Sequence, residues 1–151
     1  MRVKYRYLVY EIMLDGDFQT AKFSSDDLRR AAIDAIETNY GILGMARMIP
    51  GLSVLFWQPD LRVVVFRCLR DYCDEFALAM SLSTRSPNNQ DWSFRCIRLC
   101  ARVSACRDAT EKHIKVWEVA AARRANTVQA KAHHSAVKNE IRGMLAELVD
   151  A

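Results

Sequence analysis

No apolar run in this chain of 151 residues is long enough to span a bilayer. The basic start MRVKYRY leads into no apolar signal core. An intracellular protein without membrane contact is therefore expected. None of the five cysteines stands in a CxxC pair, and their number is odd, so reduced thiols fit better than a disulfide framework. There is no G-x-S-x-G, and none of the three histidines has a nucleophile beside it in a familiar pattern. The few glycines form no phosphate-cradling loop, because Gly41 and Gly44 follow a helical pattern instead of opening one. Cys96, Cys100, Cys106 and His113 have spacings that match no standard metal-ligand ladder. Asp15-Gly16-Asp17 and Asp26-Asp27 are turn and cap residues by type. The expectation is a protein with no catalytic residue, no metal and no cofactor.

What is present describes an ordinary folded domain: 51% hydrophobic and 26% charged residues, enough to rule out a disordered chain. The net charge of +4 hides an asymmetry. Residues 1–91 hold 11 Lys/Arg against 12 Asp/Glu, whereas residues 92–142 hold 11 against 4. A basic excess confined to one third of a chain points to a polyanion, most often nucleic acid, although solvated helices can carry the same excess.

The apolar pattern orders the chain. Lys4 to Leu14 reads as a strand. Ser24 and Asp27 stand at capping-box spacing before a helix bearing Leu28, Ala31, Ala32, Ala35, Ile36 and Tyr40, with Gly41 placed to end it. Leu52–Trp57 and Val63–Phe66 are apolar on consecutive residues around a Gln58-Pro59-Asp60 turn. Such strands present apolar side chains to both sheet faces, so the sheet must be covered on both sides. Asp71 opens a second helix with Tyr72, Phe76, Ala79 and Met80 on one side, ending before the Ser86–Asn89 loop. Ser93 to Val103 alternates, with Ile97, Leu99, Ala101 and Val103 on one face and Cys96, Arg98, Cys100 and Arg102 on the other. A third helix follows to about Ala125, with Ala109, His113, Val116, Trp117 and Ala120 on its stripe. A fourth carries Val137, Ile141, Met144, Leu145 and Leu148.

The order βαββαβαα predicts a ferredoxin-like α/β sandwich, of the α+β kind, with sheet order 4-1-3-2. The two C-terminal helices are the natural cover for the second sheet face. Residues 1–126 would form the sandwich with its third helix, and residues 127–151 the amphipathic helix packed on the same domain.

Arginine is the chemistry that remains. Arg95, Arg98 and Arg102 recur on the fourth strand, an edge in this order, and Arg107, Lys112, Lys115, Arg123 and Arg124 continue along the next helix. Lys4 and Arg6 begin the neighbouring strand and extend the same patch. Guanidinium and ammonium groups at this density suit phosphate contact that needs no base-edge code. Charge that merely protects an edge strand from aggregation is the plain alternative. The third strand, LRVVVFRC, lacks an RNA-recognition-motif signature. The second functional class is a protein-interaction scaffold of ferredoxin-like fold without direct RNA contact, docking through Val137, Ile141, Leu145 and Leu148. That stripe serves intramolecular packing equally well.

The segments KYRYLVYEI, GILGMARM, LSVLFW…VVVFRCLRDY and IRLCARVSACRDATEKH occur in an order that resembles the processing-of-precursor subunit five (Pop-five) family of ribonuclease P and ribonuclease MRP proteins, over about Lys4 to Trp117. Arg6-Tyr7-Leu8, the Gly41/Gly44 pair and Arg67-Cys68-Leu69-Arg70 correspond to its short motifs. The family's glycine turn after the fourth strand is replaced by Ala101-Arg102-Val103-Ser104, with Cys106 kept. The resemblance implies a ferredoxin-like sandwich and a non-catalytic, RNA-binding role in the nucleus and nucleolus. There the catalytic RNA removes the 5′ leader of precursor tRNA and the related particle processes rRNA. It also implies partners: ribonuclease P/MRP RNA, precursor tRNA, the thirty-kilodalton subunit and other protein subunits.

Overall fold

A computed structural model describes residues 3–14, 23–124 and 128–148. Four strands and four helices follow in the order β1 (Tyr5–Leu14), α1 (Ser25–Met48), β2 (Ser53–Gln58), β3 (Val63–Leu69), α2 (Cys73–Leu82), β4 (Trp92–Cys100), α3 (Val103–Arg124) and α4 (Val128–Glu147). The sheet runs β2-β3-β1-β4 with every neighbouring pair antiparallel, which is the ferredoxin-like order. The Asp15-Gly16-Asp17 turn lies outside the described residues.

The consecutive apolar residues of β3 divide between two cores. Val64 and Phe66 face α1 and α2, where they meet Leu8, Tyr10, Ile12, Leu28, Ile36 and Phe76. Val63 and Val65 face α3 and α4, where they meet Tyr7, Val9, Cys106, Ile114 and Ile141. Each fully buried aliphatic or aromatic side chain removes about 1.5–3 kcal/mol of apolar surface cost, so both layers are needed. Trp57 belongs to the first core and its indole N–H donates to the Phe23 carbonyl at 2.8 Å.

Local chemistry explains the ends of the elements. Ser24 caps α1: its hydroxyl accepts from the Asp27 N–H at 3.1 Å, and the Asp27 carboxylate accepts from the Ser24 N–H at 2.9 Å. Gly41 was expected to end α1, and its backbone does leave the helix at φ 62°, ψ −160°. The chain then resumes helical geometry as far as Met48, so the glycine makes a kink instead of a stop. A short 3-10 turn over Arg70–Tyr72 precedes α2, which starts at Cys73 and not at Asp71.

Three expectations for the C-terminal third are corrected. The alternation proposed for β4 breaks at a bulge: Tyr10 pairs with Cys96 while Val9 pairs with Arg98, leaving Ile97 as the extra residue. Cys96 and Cys100 therefore lie on opposite sheet faces. The buried stripe of α3 is Val103, Cys106, Ala109, Thr110 and Ile114; of the expected stripe Ala109 is buried and His113 and Trp117 partly so, but Val116 and Ala120 are exposed. Thr110 is accommodated because its hydroxyl donates to the Cys106 carbonyl at 2.9 Å. Val137, Ile141, Leu145 and Leu148 pack in the second core, so this stripe of α4 is consumed within the chain and is not available for the partner docking considered for it.

Candidate nucleic-acid interface

The bulge determines which basic side chains share a surface. Arg95 is paired across the sheet with Glu11 and binds its carboxylate. Because Ile97 takes the extra position, Arg98 opposes Val9 and shares the α3 side with Arg95. It meets Lys112 of α3 there, and both line a shallow open hollow of about 290 Å³ with Ile97, Ala109, His113 and Val116. His113 stands 3.6 Å from Glu11, so one carboxylate faces both the Arg95 guanidinium and the imidazole. Arg102 is exposed in the two-residue connection between β4 and α3. Arg95, Arg98, Arg102 and Lys112 are thus exposed along the β4 edge and the adjoining flank of α3. Helical spacing carries exposed Arg123 along the same flank.

The other sequence-predicted cations lie elsewhere. Arg107 is half-buried and donates to the Leu148 carbonyl, tying α3 to the end of α4. With Lys115 it lines a cleft of about 450 Å³ between the two helices, which also contains Glu111, Glu118 and Arg142. Glu118 is itself bridged to Lys138 at 3.1 Å. This mixed-sign seam is a weaker anion surface than the β4 edge. Arg6 opposes Cys68 and lies with the α2 layer, so Arg6 does not extend the Arg95–Arg98 face; Lys4 is exposed just before β1.

Cys68, Cys73, Cys100 and Cys106 are buried in the cores, and Cys96 is exposed. The hydrogen bond with Cys73, and then burial, hold the Cys68 thiol protonated above its ordinary value. Burial and a hydrogen bond with Cys100 do the same for Cys106. With Cys96 on the opposite face, Cys96, Cys100, Cys106 and His113 do not converge. Among the described residues no three metal-ligating side chains come together.

Sequence reasoning missed Ile97, His113 and Val116 as neighbours of the basic face; the signal that could have found the slip is the change of apolar parity from Trp92 and Phe94 to Ile97 and Leu99. It also missed Arg142 and the Glu11–Arg95 pair.

The model of the Rpp14/Pop5 family matches residues 6–111. The chain belongs to this family. The match to the Rpp14/Pop5 model runs from β1 into the middle of α3. It includes Arg95, Ile97, Arg98 and Arg102 but stops one residue before Lys112. A chain in the cryo-EM structure of yeast ribonuclease MRP is similar in fold. The TM-score is 0.57 at 15% sequence identity, covering 68% of this chain and 78% of that one. At this identity the likeness establishes the fold. No curated protein matches the chain in sequence.

Proposed function

We propose that this Rpp14/Pop5-family chain is a non-catalytic protein subunit of a ribonuclease P or ribonuclease MRP ribonucleoprotein, and that it binds structured RNA through the β4–α3 face. In this reading the RNA performs the cleavage, in removal of the tRNA 5′ leader or in rRNA processing, within the nucleus and nucleolus. The protein supports the RNA fold and meets other protein subunits. Family membership supports the assembly. The observation that supports the face is the Ile97 bulge, which turns Arg98 toward Lys112 and onto the side of Arg95. Both sheet faces are closed by helices, so an edge with its adjoining helix is the surface left to a polyanion.

The test is reversal of two exposed charges, Arg98→Glu with Arg102→Glu. Loss of two phosphate contacts is expected to weaken RNA binding and to reduce the slope of log affinity against log salt by about two. An unchanged circular dichroism spectrum and melting temperature would confirm that the fold is intact. RNA association unaffected by both reversals would contradict this placement and favour a protein-interaction scaffold. The observation on that side is Ile42, Leu43, Leu78 and Leu82, large apolar residues exposed on the α1–α2 layer.

A further inference from the structure

A grip on phosphates alone explains exposed cations; it does not explain apolar side chains beside them. Val116 is 67% exposed although the buried stripe of α3 reaches Ile114 only two residues before it. The hollow between β4 and α3 has an apolar lining of Ile97, Ala109 and Val116, with Arg98, Lys112 and His113 completing it. Its volume of about 290 Å³ is at the small end for a ligand site, room for a single compact group and not for an extended one.

We infer that this hollow receives one unstacked RNA nucleotide, its base against Ile97 and Val116 and its phosphate on Arg98 and Lys112. The inference rests on the RNA-binding reading above and deepens it, since it specifies a splayed-out nucleotide where that reading requires only phosphate contact. A β-bulge is a device for re-aiming a side chain at a strand edge. Here it sends an apolar residue and the adjoining arginine to the same side, an arrangement that strict alternation forbids. A nucleotide has the matching pair of surfaces: an apolar base face and an anionic phosphate. The planar guanidinium of Arg98 adds a surface on which a base can stack, and the His113 imidazole adds a polar group at the wall for the base edge. An acidic peptide would satisfy the two cations but has no flat apolar face for the Ile97–Val116 lining.

The experiment compares two probes of equal phosphate count: a short single-stranded oligoadenylate and the same backbone without bases. Both are titrated into the full-length protein and into Val116→Ser, Ile97→Ala and the Arg98→Glu/Arg102→Glu variant. The wild type is expected to bind the base-bearing strand about five- to tenfold more tightly, the low end of what base contacts contribute. Val116→Ser and Ile97→Ala are each expected to reduce that preference. Val116 is exposed, so its exchange tests the hollow without disturbing a core. Equal affinity for the two probes, with both weakened by the double reversal, would overturn the nucleotide site and leave phosphate binding standing. Indifference of both probes to the double reversal would overturn the RNA face and the hollow together. Binding of a glutamate-rich peptide that depends on Val116, with base preference unaffected by it, would also overturn the inference.

Discussion

Single residues hold this fold at its turns. The Ser24 backbone N–H, and next its hydroxyl, hold the Asp27 carboxyl below the ordinary carboxylate range. A folded value below the unfolded one means that this carboxylate stabilises the protein above the usual aspartate pKa of about 4 and ceases to do so as pH falls through the folded value. Asp27→Asn is therefore expected to melt lower than the wild type at neutral pH, with the two curves converging in acid. A gap that persists in acid would contradict the linkage. Gly41 sits at a backbone geometry that side chains rarely tolerate, and a Cβ on Gly51 would lie 2.4 Å from Leu69 Cγ and 3.1 Å from the Leu69 backbone nitrogen. Gly41→Ala and Gly51→Ala are each expected to cost about 1–3 kcal/mol in denaturant unfolding. The capping box was legible because it is a local pattern. The role of Gly51 was not, because its neighbour Leu69 lies in β3, far away in sequence.

At the scale of elements, legibility followed the range of the interaction. The helices and the hairpin could be read from periodicity, and the closed sheet followed from the doubly apolar β3. β4 could not be read to the same depth. The alternation read from Ile97 onward does not extend back to Trp92 and Phe94, whose apolar side chains fall in the other parity, and pairing with β1 shows that Ile97 is surplus. The α3 stripe was misjudged for a related reason, since Thr110 looks polar until its hydroxyl is seen bonded to the Cys106 carbonyl. The α4 stripe was correctly identified as apolar, but whether it served this chain or a partner depended on tertiary packing. Ile141 is fully buried against Val9, Val63 and Val65 in that core. Ile141→Ala is expected to destabilise by about 2–5 kcal/mol, and truncation after residue 126 to expose the second sheet face and cause aggregation. A soluble, cooperatively folded truncation product would contradict this role for α4.

For the molecule as a whole, the asymmetry of charge carried the most functional information and also misled in one respect. The basic excess of residues 92–142 is real, but folding distributes it over two surfaces. Arg95 and Arg98 lie on the β4 edge with Lys112 across the hollow on α3 and Arg102 exposed just after the strand, whereas Arg107, Lys115 and Arg142 enter a seam with Glu111 and Glu118. Sequence alone could not separate them, because Lys112 and Lys115 are three residues apart on one helix and still border different hollows. The closed sandwich also limits how a partner can approach: any large polyanion must use an edge, a helix flank or a loop. The RNA-binding role turns on which molecule occupies that edge in the cell. The most direct measurement is to purify the endogenous protein under native conditions and sequence the RNA that accompanies it. Stoichiometric recovery of ribonuclease P or ribonuclease MRP RNA is the expected result; a stable assembly containing protein and no RNA would contradict it.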